Sequence, residues 1–237
     1  RDAGNYNQAY QWNTKCDSLV QSMVAQVAQP VLVSLNGEEG RQKDVFRKMM
    51  RFTASITFPL LFGFGLVAKE FIVTAIGEKW LASAQLIQIL CISGATMPLS
   101  TLFSNMIISK GRSGTFFWCT FTLGLVQIAT MIMIWPMGIR TMVIAYTLLN
   151  TSWLLVWLFF VRRLIGYGYW MFFCDVMPFA LAAAGVMGVA YVATMPLSNL
   201  IALLISRFII AVVLYYVVMK IARVKILAEC ERFVKRG

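Results

Sequence analysis

The sequence predicts an all-α integral membrane protein with about seven transmembrane helices. Three observations carry that prediction. Hydrophobic residues make up 59% of the 237-residue chain and charged residues 13%, against about 45–50% and about 25% in soluble domains. The charges punctuate long apolar runs instead of being mixed through them. The runs lack the period-two alternation of a barrel, and backbone groups in lipid must bond within their own segment, so the runs are helices.

The same composition narrows function. A net charge of +11 would suit nucleic acid only as a basic face on a soluble fold. Interspersed with apolar runs it suits anionic membrane lipids instead, and no nucleic-acid partner is expected. The chain has no His, which removes His base chemistry and His metal sites. Cys16, Cys91, Cys119, Cys174 and Cys230 form no CxxC pair, and four lie in or beside apolar runs, where Cys acts as a small hydrophobe. The sequence contains no nucleophile–base pair, carboxylate pair, Asp-rich metal motif or Walker sequence. The expectation is a protein that is not an enzyme, with no catalytic residue, metal or cofactor.

A helix crossing about 30 Å of hydrocarbon needs roughly 20 apolar residues. Residues 1–11, "RDAGNYNQAYQ", lack an initiator Met and a signal-peptide pattern. They read as an outer loop or interfacial lead-in, in the back part of a longer polypeptide. Residues 12–220 read as one transmembrane lobe. Its spans are Trp12–Leu35, Phe52–Ile76, Leu81–Ile108, Thr115–Pro136, Met142–Val161, Met171–Ala193 and Leu197–Lys220. Between the second and third, "GEKW" (Gly77 to Trp80) is a tight turn, with Gly77 ending a helix and Trp80 at headgroup level. Pro59 and Pro98 fall inside spans, where they can kink a helix.

Two basic segments read as amphipathic helices lying in the interface. One, near residues 41–51, sets Val45, Phe46, Met49 and Met50 on a single face. The other is the tail, residues 221–237, with Ile221, Val224, Leu227 and Ala228. Lys and Arg crowd alternate connections: Arg41 to Arg51, Lys110 and Arg112, Arg162 and Arg163, and the tail. The intervening loops hold Lys79 and Arg140, with Lys69 at a helix end. Positive charge marks the cytoplasmic side. The tail is therefore expected inside and the first residues outside.

The first span differs from the rest. Gln11, Thr14, Lys15, Ser18, Ser22, Gln26 and Gln29 recur every three or four residues and share one helical face. Polar side chains do not face lipid unpartnered. They line either a water-filled cavity or a seam with other helices. Lys15 and Asp17, near the outer end, could also reach the interface. Arg207 sits deep in the last span, near the midplane, and invites either a structural partner or an anionic ligand. The candidate cavity residues are Thr14, Lys15, Asp17, Ser18, Ser22, Gln26 and Arg207. Asn105, Gln127 and Asn150 to Ser152 are explained equally well by helix packing.

From Tyr6 to about Arg112 the order "NYNQAYQW", "QPVLVSL", "FPLLFGFGLVAKEFI", "IGEKWLASAQLIQIL" resembles the polysaccharide flippases. These are O-antigen, teichuronic acid and colanic acid type exporters of the multidrug, oligosaccharidyl-lipid and polysaccharide exporter superfamily. The resemblance implies a C-terminal lobe of a two-lobe, fourteen-helix flippase, its N-terminal lobe being the missing partner. It implies alternating-access movement of undecaprenyl-diphosphate-linked oligosaccharide across the bacterial inner membrane, with H+ or Na+ as coupling ion. It carries no catalytic residue over to this chain. A multidrug or cation antiporter of the same superfamily is the alternative, with Asp17 as its acidic candidate.

Overall fold

Each predicted span corresponds to a helix, and the first two helices begin well before their spans. The computed structural model describes residues 2–196 and 199–221. In order these give α1 (Asp2–Ser34), α2 (Glu39–Ala75), α3 (Leu81–Ser109), α4 (Ser113–Ile134), α5 (Ile139–Ile165), α6 (Tyr169–Ala193) and α7 (Leu200–Ile221). The described residues contain no strand. Helices α2 to α7 are each long and apolar enough to cross a membrane. Helix α1 has the length, at 33 residues, but its polar stripe lowers its hydropathy. The chain is a multi-pass membrane protein.

The turn at "GEKW" forms as expected. The Ile76 amide closes the last turn of α2 on the Ile72 carbonyl. Gly77 then adopts φ +101°, which an L side chain resists. Glu78 to Trp80 make one 3₁₀ turn before α3, and Glu78 and Lys79 are exposed.

Two expectations need correction. The lead-in is not a loop, because α1 begins at Asp2. Asn5 and Ala9 are buried there, and the Ser83 hydroxyl donates to Asn5 Oδ1 at 3.3 Å. The basic segment near 41–51 is not a separate interfacial helix but the front of α2, which continues unbroken for 37 residues. Its apolar face is covered by protein. Phe46 packs against Phe103 and Tyr167, with ring centroids 5.7 and 5.3 Å away. The amphipathic tail from residue 222 onward lies outside the described residues.

Helix α3 is the hub, with α1, α2 and α5 packed around it. Its buried Ser83, Ala84, Ser93, Gly94 and Ala95 let neighbouring backbones approach closely. Helix α4 stands at the periphery, where only Cys119 is buried. It is tied to α5 by Gln127 Nε2 donating to Asn150 Oδ1 at 3.3 Å, so packing accounts for both residues. Helices α6 and α7 pack mainly on α2 and on each other.

Pro59 lies inside α2 and has no amide to give the Ser55 carbonyl. The Tyr215 hydroxyl of α7 donates to that carbonyl instead, at 2.9 Å.

Candidate functional site

The two long faces of α1 have opposite fates. Asn5, Ala9, Asn13, Asp17, Val20, Ala28 and Leu32, spaced by three or four, are buried, mostly against α3. On the other side Gln11, Lys15, Ser18, Ser22, Gln26 and Gln29 are exposed and Thr14 is half-buried. The predicted stripe therefore points away from the lobe and is not sealed between its helices. Leu19, Met23 and Val27 are exposed beside it. Ser18 and Ser22 hydroxyls donate to the Lys15 and Leu19 carbonyls at 3.2 and 3.0 Å, so their hydrogens are satisfied within the helix. The Lys15 ammonium lies 4.3 Å from the centre of the Trp12 ring, a cation–π contact.

Asp17 does not belong with the stripe. It is 4% exposed, on the face that meets α3. Its Oδ1 and the Oδ1 of Asn13, one turn earlier, are buried without a hydrogen-bond partner. Opposite them stands Gly94. A Cβ at that position would sit 2.9 Å from Asn13 Oδ1 and 3.0 Å from Leu61, so any larger residue would push the Asn13 amide aside.

Arg207 is 7% exposed and has found a partner. Its Nη1 lies 2.7 Å from Glu70 Oε1, and its Nε donates to Thr194 Oγ1 at 3.1 Å. The Tyr191 ring lies 5.1 Å beneath the guanidinium. Thr194 caps the end of α6, so the guanidinium reaches back along α7 to a helix end, above the expected midplane position. Of the two roles open to Arg207, the structure supplies the structural partner.

A second ion cluster sits at the opposite end of α2. The fully buried Asp175 of α6 accepts from Arg47 Nε at 2.9 Å and Nη2 at 3.1 Å, a bidentate pair. Arg51 adds a 2.6 Å contact to Asp175 Oδ1, and the Tyr167 hydroxyl donates to Oδ2 at 3.2 Å. Burial pushes the Tyr167 phenol well above its usual range, and the Asp175 carboxylate beside it raises it further. Tyr167 thus keeps the proton that it donates.

This geometry can be set beside known proteins. Residues 1–85 match the family described as Polysaccharide biosynthesis protein. The chain is 28% identical over 183 residues to the teichuronic acid biosynthesis protein TuaB of Bacillus subtilis (strain 168), covering 76% of this chain and 38% of that protein. It is 24% identical over 110 residues to the lipopolysaccharide biosynthesis protein WzxC of Escherichia coli (strain K12), covering 46% of this chain and 22% of that protein. Among solved structures, the inward closed conformation of the lipid II flippase MurJ superposes with a TM-score of 0.70 at 15% identity. The superposition covers 90% of this chain and 46% of that one. The chain is similar to bacterial proteins of surface-polysaccharide biosynthesis. It spans less than half the length of these relatives, and its fold resembles part of the MurJ structure.

Within this fold, sequence reasoning missed Glu70, Asp175 and Tyr167. Arg47 and Arg51 were expected on a solvated basic face. A signal for the acids existed: ten acidic residues face twenty-one basic ones, and Asp175 interrupts the apolar run "MFFCDVMPF". An acid inside a span requires a buried cation.

Proposed function

We propose that this chain is one lobe of a flippase that moves undecaprenyl-diphosphate-linked oligosaccharide from the inner to the outer leaflet of a bacterial inner membrane. The observation that carries this reading is the outward direction of the α1 stripe, Gln11 to Gln29, on a lobe whose other helices are predominantly apolar. A facing lobe would turn that surface into the wall of an aqueous pathway. A sugar–diphosphate headgroup needs such a wall, because hydrocarbon offers it no hydrogen bonds. Lys15 supplies positive charge for the diphosphate, while the lipid tail stays in the bilayer. Rocking of two lobes about the headgroup gives alternating access. The basic ends of the helices face the cytoplasm and its anionic lipids.

The test is export. In the full-length protein, Ser22→Leu and Gln26→Leu make the wall apolar without touching the α1–α3 seam. Accumulation of lipid-linked repeat units on the inner leaflet, with normal protein levels, is the expected result. Wild-type export from both variants removes α1 from the pathway. A drug or cation antiporter is the second reading, favoured by the buried Asp17. It requires drug sensitivity in a deletion strain whose surface polysaccharide is unchanged.

A further inference from the structure

We propose that the N-terminal end of α1 carries a sugar subsite, in which the stacked rings of Tyr6 and Tyr10 take the C–H face of a pyranose and Asn7, Gln11 and Thr14 bind its hydroxyls.

Tyr6 and Tyr10 lie one helical turn apart, with ring centroids separated by 5.9 Å and planes inclined by 26°. The two rings are held differently. Tyr6 is half-buried and packs against the core, whereas Tyr10 is 41% exposed. The anchored ring supports the exposed one, so little side-chain freedom is lost when a ligand settles on the pair. Tyr146 of α5 lies within electrostatic reach of both and adds a third phenol from a second helix. Asn7 and Gln11 are exposed and Thr14 is half-buried beside them. A pyranose asks for this combination. Its C–H bonds turn positive edges toward a partner, which suits the negative face of an aromatic ring. Its hydroxyls both donate and accept, as the amides and the Thr14 hydroxyl do.

An aromatic pair near a membrane surface can also be a headgroup anchor. The direction of these rings decides against that role. At about 100° per residue, Tyr10 falls about 40° from Thr14 and about 180° from Leu19. Leu19 and Met23, 60% and 65% exposed, mark the apolar flank of α1. The residue at this level on that flank is Trp12, about 20° from Leu19. Its ring meets Phe71 with centroids 5.0 Å apart. Helix α4 supplies the contrast. Its exposed stacked pair, Phe117 and Phe121, lies beside Trp118 on a predominantly apolar helix, where lipid is the natural neighbour.

The subsite rests on the transport reading, which puts the diphosphate at Lys15. Tyr10 and Tyr6 lie roughly 7–8 and 13–14 Å nearer the start of α1 than Lys15 does, at 1.5 Å of rise per residue. Sugars joined to that diphosphate reach so far. This end of α1 is the one away from the basic connections, so the glycan leads and the diphosphate follows.

The test compares two probes on the full-length protein in detergent: undecaprenyl diphosphate, and the lipid-linked repeat unit extracted from the host strain. Wild type should bind the sugar-bearing lipid more tightly. Tyr10→Ala should weaken that lipid about three- to tenfold and leave undecaprenyl diphosphate unchanged. Tyr10→Phe keeps the ring and should bind like wild type, while Gln11→Leu should lose part of the same preference. Phe117→Ala, on the exposed pair of α4, should change neither affinity. Equal affinity of wild type for the two lipids, or an undiminished preference in Tyr10→Ala, overturns the subsite. Equal weakening of both lipids by Tyr10→Ala marks a structural anchor and overturns it too. Should Tyr10→Ala fail to fold, Tyr10→Leu, which keeps bulk without an aromatic face, takes its place. A protein that exports its repeat unit with no preference between the probes loses the subsite and keeps the transport reading. A ring-dependent preference in a protein whose deletion leaves export intact does the reverse.

Discussion

Tyr215 donates its hydroxyl hydrogen to the Ser55 carbonyl at 2.9 Å, filling the gap that Pro59 opens in α2. A helix interruption and a tyrosine 160 residues apart in hydrogen-bond separation form one unit. Tyr215→Phe keeps the ring and removes the donor, leaving a carbonyl unpaired. The expected cost is about 1 kcal/mol, read as lower thermal stability of the purified protein. Pro59→Ala restores an amide to the same carbonyl. In that background Tyr215→Phe should cost a few tenths of that or less, and an undiminished cost would break the link between the two residues.

Arg207 and Glu70 are predicted to matter mainly to each other. Truncating Arg207 to Ala strands a buried carboxylate and should destabilise by about 3–5 kcal/mol, with a matching loss of folded protein. The double variant Arg207→Leu with Glu70→Leu removes both charges and should recover most of the folded yield. An export defect persisting in the well-folded double variant would return Arg207 to the transport pathway.

Asp175 joins α6 to Arg47 and Arg51 of α2. Asp175→Asn should leave two guanidiniums competing for one neutral amide. The Arg51 side chain is 42% exposed and the Arg47 side chain 29%, so water offsets part of the loss. The expected cost is about 1–3 kcal/mol. Tyr167→Phe removes one neutral donor and should cost less. The reverse order, measured as thermal stability in detergent, would mean that the phenol and not the ion pair carries the cluster.

The two faces of α1 can be distinguished chemically. In a cysteine-free background, Ser22→Cys and Gln26→Cys should react with a membrane-impermeant maleimide, whereas Val20→Cys and Leu32→Cys should not. Equal labelling of all four positions would contradict the burial pattern.

The helices were legible because apolar runs of membrane length permit little else, and "GEKW" was legible because Gly77 and two charges mark an exit from lipid. Spacing put the α1 stripe on one face but left open whether water or other helices met it; the exposure of that face comes from the structure. Asp17 was misassigned although the same spacing was available. At about 100° per residue it falls on the side of Asn13 and Val20, well away from Ser18 and Ser22. The segment near 41–51 misled for a different reason. An apolar face flanked by Arg and Lys looks the same whether lipid covers it or, as here, Phe103 and Tyr167 do. Glu70 and Arg207 lie 137 residues apart, and no local pattern announces a partnership at that distance.

Helix α2 runs unbroken for 37 residues, about 55 Å, with a charged fastening to the outer pair of helices near each end: Asp175 of α6 at one, Arg207 of α7 at the other. Two anchors so far apart permit no pivot between them. Helices α6 and α7 must then travel with α2 as a single stiff strut, so leverage applied at either surface of the membrane is delivered at the other without slack.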